Sequence, residues 1–424
     1  MPGAHLLCPH SHFQPSKTIP QSRDVRLSIF LAPSLAFALS MVGPYHYLPT
    51  HFVPSGTTLV GSWTKILANV FLCVSALTME RRKQEKRLIQ SWCTLNAIDG
   101  IDQIPTPKSP IKKSQVLRLI KDLDVPGHPC TKALMKLEAL AAENERNRTC
   151  MVEAGVAKAM VLFIIKCFKE GKTTGLEEGL RILYLIWNQS QEIMSLVREN
   201  QEFIDSLTWI LRCKIDNHVA VKTHAMLVLH KTICVVCRKI LERLKVDFFK
   251  EIITRVLRKR ISKQATKSAL LVLTEVCFAG RNRIKIVEAN AVFELIELEL
   301  EKPERNITEL IFNLLAQLCS CADGREQFLK HAGSIAMLSK RVLRVSPATD
   351  DRAVHILDSI SKFSARDEAV LEMLRVGAVS KLCMLIQADC APYLKKKARG
   401  ILRLHSNTWK NSPCIAVYLL TRYP

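Results

Sequence analysis

The chain has 424 residues and a formal net charge of +22, from 61 Lys and Arg residues against 39 Asp and Glu residues. Hydrophobic residues make up 48% of it, aromatic residues only 6%, and glycine occurs 15 times, which favours a helical protein packed by aliphatic side chains. The length exceeds one ordinary globular core, and the 15 cysteines show no secreted-type disulfide framework, which argues against a disulfide-stabilised secreted domain. The charge favours polyanions, acidic partner segments or anionic membrane surfaces, unless it marks only a basic solvated flank.

Residues 1–78 differ in composition from the rest of the chain. They hold 8 of the 18 prolines and 5 of the 12 histidines, but a single acidic residue, Asp24. A signal peptide fits badly because the first apolar run begins too far from Met1. We expect a poorly ordered leader, or a wrongly joined first exon ahead of a true start at Met79.

Two apolar runs in this leader, 27–43 and 59–77, approach the length of a membrane span. Pro33 interrupts the first run, and the second contains Lys65 and polar residues. The sequence therefore disfavours a transmembrane segment at either place.

A short helix and a linker come next. Residues 80–100 change from charged to apolar and end at Gly100, which is typical of a helix with a glycine stop. Three prolines within 104–113 break any regular structure, so this segment is predicted to be a linker. Helical spacing of apolar residues resumes near Ser114.

The segment 114–406 repeats one pattern at a nearly constant interval. At four places a glycine or asparagine follows a short stretch of apolar and charged residues, and these four positions are 135, 43 and 44 residues apart. The first gap equals three steps of 45 residues, and those steps mark two more positions inside it. The six positions are Gly155, Asn200, Lys245, Asn290, Gly333 and Gly377. Three phenylalanines, Phe203, Phe248 and Phe293, are also 45 residues apart. Periods of roughly 40–47 residues are typical of HEAT and armadillo repeats, which bury their apolar faces by stacking.

One long helix is predicted for each repeat, apolar nearly all round because neighbouring repeats clamp it. These helices cover 133–141, 180–187, 225–233, 269–277, 310–318 and 353–360. The predicted fold is all-α, a right-handed armadillo solenoid of about six repeats. The basic segment 391–406 would close it, and a tail at 407–424 would pack on the last repeat.

Motifs that carry chemistry are scarce. Cys234 and Cys237 have CxxC spacing, but we expect them inside an apolar helix and no second pair lies at ligand spacing, so buried packing is favoured over zinc or redox chemistry. Cys319 and Cys321 at a helix end receive the same interpretation. No phosphate loop, HExxH or GxSxG motif occurs, and no histidine pairs recognisably with a nucleophile. We predict no catalytic residue, metal or cofactor.

Two basic clusters remain, RKRISK at 258–263 and KKKAR at 395–399. We expect the first in a turn between repeats and the second on the final helix. Either could bind phosphate or act as a nuclear import signal, and the alternative is a solvated flank. Neither has interleaved aromatic residues, so nucleic-acid binding is not expected.

The segments RLIQSWCTLNAIDG at 87–100 and IPTPKSPI at 104–111 resemble the junction of plant U-box ubiquitin ligases that carry armadillo repeats. The resemblance continues to TWKNSPCIAVYLLTRYP at 408–424 and is strongest with the stress- and immunity-linked subgroup. It implies that 79–103 is the remnant of the last U-box helix and that 114–406 holds protein substrates.

The sequence departs from that family at the U-box itself. Such a domain has a CPI-type loop and a second CP-containing loop, which together hold the ubiquitin-conjugating enzyme. Here Leu7-Cys8-Pro9 only weakly resembles the first loop, and KQEK at 83–86 stands where the second belongs. We therefore expect no transfer by this chain alone, and binding of a conjugating enzyme only if the true gene product has a U-box.

The resemblance implies a concave groove lined by the long helices, because armadillo proteins generally bind partners there. Asn313 and Gln317, one turn apart, are candidates to bind a peptide backbone, and Arg181, His230 and Lys231 are expected on the same groove.

The leading interpretation is the substrate-recruiting part of a ubiquitin ligase in the cytoplasm, with the nucleus as a second location, acting in stress or immune responses. The alternatives are an adaptor or decoy that binds without transfer, and a basic armadillo scaffold that engages nuclear cargo or nucleic acid.

Overall fold

The computed structural model describes residues 84–85, 87–88, 91, 111–123, 130–187, 191–215, 218–364 and 367–422. The chain divides into two units, Met1–Pro107 and Lys108–Pro424. In the first, the described residues between 84 and 91 are helical. The predicted leader, with its apolar runs at 27–43 and 59–77 and the motif at Leu7-Cys8-Pro9, lies outside the described residues.

In the second unit, every regular element of the described residues is helical. The helices are α1 Lys113–Asp122, α2 Cys130–Glu143, α3 Glu145–Glu153, α4 Val156–Glu170, α5 Leu176–Ile186, α6 Gln191–Arg198, α7 Gln201–Arg212, α8 His218–Ile233, α9 Arg238–Arg243, α10 Val246–Ile252, α11 Lys263–Cys277, α12 Asn282–Glu288, α13 Ala291–Leu300, α14 Arg305–Leu318, α15 Ala322–Lys330, α16 Ser334–Arg341, α17 Pro347–Phe363, α18 Asp367–Arg375, α19 Ala378–Gln387, α20 Pro392–Leu404, α21 Ser406–Trp409 and α22 Pro413–Arg422. A π-helical turn, Ile253–Leu257, continues α10.

From α3 to α20 the described helices form six groups of three, which we call repeats 1 to 6. The third helices, α5, α8, α11, α14, α17 and α20, pack side by side in chain order, with α2 ahead of them. The second helices form another layer in the same order, in which α10 reaches α13 through the π-helical turn. Each repeat thus contacts mainly its neighbours, which confirms the predicted solenoid of about six repeats.

The periodic glycine and asparagine positions mark the start of the second helices. Each of the six predicted positions immediately precedes the first residue of a second helix. Gly155, Asn290 and Gly377 have φ of 80°, 68° and 77°, so the chain reverses there in the left-handed region that favours glycine and tolerates asparagine. Gly333 has φ of −88°, so its position in the pattern does not require glycine.

The core follows the repeat with one exception among the periodic phenylalanines. Phe203 and Phe248 are buried between the layers, as expected from their spacing. Phe293 is 43% exposed and its ring centroid lies 5.0 Å from that of His331. Spacing alone therefore fixed the position of this residue on its helix but not its burial.

The long helices were located correctly, and in repeats 2 to 5 the third helix is the longest of the three, as predicted. Repeat 1 differs, because its second helix, α4, has 15 residues and its third, α5, has 11. The tail helix α22 packs on α19. None of the helices in the described part of the chain is long and apolar enough to cross a membrane.

Several cysteines pack as small apolar residues within this core. Cys167 and Cys383 are buried, and burial raises the pKa of their thiols to about 12 and about 11. Because the thiolate is the reactive form, these side chains contribute packing rather than attack on reagents in solvent.

Candidate functional site

The outward surface of the third helices forms one continuous strip, which we call the third-helix face. Its central row consists of residues that each lie between two pairs of buried residues on the same helix. The row is Arg181, Leu227, Leu271, Asn313 and His355, one from each of α5, α8, α11, α14 and α17. The prediction that these helices are apolar nearly all round is therefore wrong. Each carries one accessible position, and these positions form a row that is repeated along the solenoid.

Arg181 is exposed and anchored at the first end of this face. Its Nη1 lies 2.8 Å from Oε1 of Glu138 on α2, the helix that packs against α5 ahead of repeat 1. One turn further along α5, the Tyr184 ring lies 5.0 Å from the Lys231 ammonium and 6.3 Å from the His224 ring, both on α8. Cation–π and edge contacts of this kind hold the neighbouring helices in register and leave polar edges facing outward.

His230 and Lys231 continue the face on α8, and both are half-buried. Burial lowers the pKa of His230, Glu275 opposes that shift, and the charges of Lys231 and Lys267 add to it. His230 is therefore neutral at neutral pH and can both donate and accept a hydrogen bond. Burial also lowers the pKa of Lys231.

Asn313 and Gln317 lie one turn apart on α14, and both are half-buried. The Oε1 atom of Gln317 is buried and has no hydrogen-bond partner among the described residues. A primary amide has two donor hydrogens and one acceptor oxygen, which matches the alternating groups of an extended peptide backbone.

A polar cluster that the sequence did not indicate lies at the other end of the face. Asp351 accepts a hydrogen bond from the Tyr393 hydroxyl, and its carboxylate lies 4.0 Å from Lys397 Nζ on α20. His355 is one turn away, with its pKa lowered first by burial and then by the charge of Lys397. The signal available in the sequence was the separation of Asp351 and Lys397 by about one repeat.

The five predicted residues share this face but do not form one cluster. Arg181 belongs to repeat 1, His230 and Lys231 to repeat 2, and Asn313 and Gln317 to repeat 4. The side chains between them, which the sequence analysis did not select, come from α11 in repeat 3. The arrangement therefore suits an extended ligand and can supply hydrogen bonds, charges and ring contacts along it.

The RKRISK segment at 258–263 lies within repeat 3 and not between repeats as predicted, because it runs from the end of the π-helical turn to the first residue of α11. Three of its cations are paired with glutamates of the next repeat. The pairs are Arg258 with Glu294 at 2.7 Å, Arg260 with Glu301 at 3.1 Å, and Lys263 with Glu304. Two of these pairs join residues 41 positions apart, so the repeat period itself could have indicated them. The KKKAR segment lies on α20, as predicted.

The CxxC motif lies in a turn and not inside a helix as predicted. Helix α8 ends at Ile233, and Cys237 immediately precedes α9. Cys234 is exposed, and burial of part of its side chain raises the pKa of its thiol. Within the described residues, no group of three or more His, Cys, Asp or Glu side chains is placed to hold a metal ion.

Comparison with known proteins places this solenoid among plant proteins. A family model described as the plant U-box protein ARM repeat region matches residues 115–424. An Arabidopsis thaliana protein named E3 ubiquitin-protein ligase PUB24 is 37% identical over 380 residues, which covers 80% of this chain and 82% of that protein. Two more from the same plant, named E3 ubiquitin-protein ligases PUB23 and PUB22, are 36% and 33% identical, each over 80% of this chain and over 82% and 84% of their own lengths.

Proposed function

The chain belongs to the armadillo-repeat family of plant U-box proteins, and we propose that its third-helix face holds protein substrates for ubiquitination. The support is the continuous row of accessible side chains across five successive third helices. An extended segment of a partner would lie across these helices and meet one set of side chains per repeat. A role in stress or immune responses stays a prediction.

The central contact in this proposal is the amide pair of Asn313 and Gln317. Gln317 Oε1 has no partner in the described structure, and a rotation that turns the half-buried amide outward would let it accept a backbone N–H of the partner, because an unsatisfied buried acceptor is costly. Tyr184 and Lys231 would provide an apolar ring and a charge for side chains of the same segment.

A ligase of this kind forms no covalent intermediate with ubiquitin in its repeats. The repeats would act by proximity, because they hold the substrate near a conjugating enzyme that carries ubiquitin. The effective concentration of the substrate at that enzyme is then raised. Residues that bind substrate therefore control which protein is modified and not the chemistry of transfer.

Binding is tested with the double substitution Asn313→Ala and Gln317→Ala in the full chain. Proximity labelling in plant cells identifies proteins near the wild type, and purified candidates are then measured by calorimetry. We expect the double variant to bind a confirmed partner about 30-fold more weakly, since two hydrogen bonds are lost and each contributes about 1 kcal/mol.

Lys158→Ala is the matched control, because Lys158 is exposed on the second helix α4, away from the third-helix face. Equal affinity of the double variant and the wild type would overturn the assignment of the face. A ubiquitination assay with activating enzyme, conjugating enzyme and the confirmed partner then separates two roles: modified partner indicates a ligase, and binding without modification indicates an adaptor.

A further inference from the structure

A groove between α19 and the tail helix α22 contains one thiol from each helix. Its volume is about 310 Å³. Both thiols are free: Cys383 is buried in α19 with 4% of its surface exposed, and Cys414 is half-buried in the first turn of α22. The groove is lined by Ser380, Cys383, Met384 and Gln387 of α19 and by Pro413, Cys414 and Val417 of α22. The fold therefore brings two cysteines that are distant in the sequence to one small groove.

The backbone geometry of the two helices suits a bond between these thiols. Cα atoms of α19 and α22 approach to within 8 Å of each other. A disulfide needs its two Cα atoms about 4.4–6.8 Å apart. Helix α22 carries no further repeat in the described chain, so a small adjustment of its first turn leaves the stacking of the repeats intact.

Solvent reaches the groove, but the two thiols differ in how they meet it. Met384 and Val417 line the groove and are 52% and 58% exposed. The Cys414 sulfur lies 2.8 Å from the Ser412 hydroxyl, which can donate a hydrogen bond to it. Burial raises the pKa of the Cys383 thiol to about 11, and the neighbouring Cys414 adds to that shift. Cys414 is therefore the thiol that an oxidant meets first, and Cys383 reacts only with a group that forms beside it.

We propose that Cys383 and Cys414 are a redox modification site, at which hydrogen peroxide converts the two thiols to a disulfide. The Cys414 thiolate attacks one peroxide oxygen and the O–O bond breaks. The departing hydroxide takes up a proton to become water, and Cys414 becomes a sulfenic acid. The Cys383 sulfur then attacks the Cys414 sulfur, the S–O bond breaks, and a second water leaves with the Cys383 proton. The two thiols thus supply the two electrons that reduce the peroxide.

The disulfide closes a loop that contains α20, the third helix of repeat 6. On α20, Tyr393 and Lys397 make the contacts with Asp351 at the end of the third-helix face. A cross-link restricts the unfolded states of the loop that it closes, so oxidation holds α20 and α22 more firmly on α19. This modification goes beyond the proposed substrate binding and does not depend on it.

The test treats the reduced full chain with hydrogen peroxide and maps disulfides by mass spectrometry after digestion with trypsin. We expect a cross-link between the peptides 382–395 and 411–422. The first peptide also contains Cys390, which lies after α19 and whose sulfur donates to the Leu385 carbonyl at 3.3 Å. Cys390→Ser is therefore the matched control and should keep the cross-link. Cys383→Ala and Cys414→Ser should each abolish it, and the second changes a half-buried residue and so retains the fold, which circular dichroism checks.

Hydrogen exchange then measures the effect of the bond on the fold. In the oxidised wild type and in oxidised Cys390→Ser, exchange in α20 and α22 should slow at least tenfold, and dithiothreitol should restore the original rate. Oxidised Cys414→Ser controls for sulfoxide formation at the exposed Met384, which dithiothreitol does not reverse, and should show no slowing.

Three results would overturn the proposal. The first is a wild type without a cross-link between these peptides. The second is a cross-link that Cys390→Ser loses or that Cys383→Ala or Cys414→Ser keeps. The third is a cross-linked chain in which α20 and α22 exchange at the reduced rate.

Discussion

Among the described residues, Glu299 is the most deeply buried carboxylate, with 1% of its surface exposed. Nε of Arg341 lies 2.6 Å from its Oε1, and Thr308 donates to the same oxygen. Burial raises the pKa of this carboxyl, and the Arg341 guanidinium opposes that shift. The pair joins the second helices of repeats 4 and 5, so its contribution depends on both partners being present.

Removing one partner of this pair should therefore lower the free energy of unfolding more than removing both partners. We expect Arg341→Met to lower the free energy of unfolding by about 3 kcal/mol, because it leaves the Glu299 carboxylate buried without a positive charge beside it. The double variant with Glu299→Leu should recover at least half of that loss. Urea denaturation followed by circular dichroism measures both values.

The exposed pair Arg238–Glu242 provides the control, since 75% and 43% of its side chains are accessible. Arg238→Met should cost less than about 1 kcal/mol, because water screens such pairs. Similar losses for Arg238→Met and Arg341→Met would contradict the role assigned to burial.

At the scale of the helices, the turn between the second and third helix repeats a strained conformation. Gly171 has φ of 65° in repeat 1, and the corresponding turns of repeats 3 to 5 place Arg260, Lys302 and Leu343 at 52°, 57° and 59°. A side chain in this left-handed region costs about 1–2 kcal/mol relative to glycine. The fold of the repeat thus imposes this conformation whether or not the sequence provides a glycine.

Lys302 tests this strain, because it is exposed and its side chain makes no hydrogen bond or ion pair in the described structure. Lys302→Gly should leave the stability unchanged or raise it by up to about 1 kcal/mol, as relief of strain offsets the greater entropy of the unfolded chain. Lys267→Gly, at an exposed position inside α11, should instead lower it by about 1 kcal/mol. Thermal unfolding of both variants measures these changes in stability. Equal losses of stability in the two variants would refute the explanation that the turn is strained.

The sequence located the elements better than their contacts. The repeat spacing predicted the position of Gly333 at the start of a second helix, because that spacing is a property of the sequence alone. The backbone φ of Gly333 could not be predicted in this way, because it depends on the turn around it. The CxxC motif at Cys234 was assigned to a helix because Val235 and Val236 extend the apolar run, although α8 ends before it. Local apolar patterns do not show where one helix must stop to let the next repeat stack.

The candidate site was harder to predict for the same reason. Asn313 and Gln317 could be selected because polar residues inside an apolar helix are visible in the sequence. The lack of a partner for Gln317 Oε1 could not be predicted, since it depends on how the side chains pack around α14. Such a feature appears only once the neighbouring helices are placed in space.

At the scale of the whole molecule, side chains tie each repeat to the next one. The Asn282 amide at the start of repeat 4 donates to the Leu241 and Val276 carbonyls of repeat 3, at 2.8 and 3.1 Å. Arg325 at the start of repeat 5 donates to the Cys319 carbonyl at the end of the third helix of repeat 4. These contacts reach one neighbour only, so the solenoid should respond to a perturbation locally.

Asn282→Ala tests this locality, because it leaves the two carbonyls of repeat 3 without their donor. The lost bonds correspond to about 1–3 kcal/mol, so hydrogen exchange in α9 to α14 should accelerate roughly 10- to 100-fold. Exchange in α18 to α20 should change little, since those helices share no contact with the substituted residue. Asn306→Ala, at an exposed position on α14, is the control and should leave both regions unchanged. A uniform acceleration from α2 to α20 would instead mean that the repeats unfold as one cooperative unit, because only then does a local defect lower the stability of every helix equally.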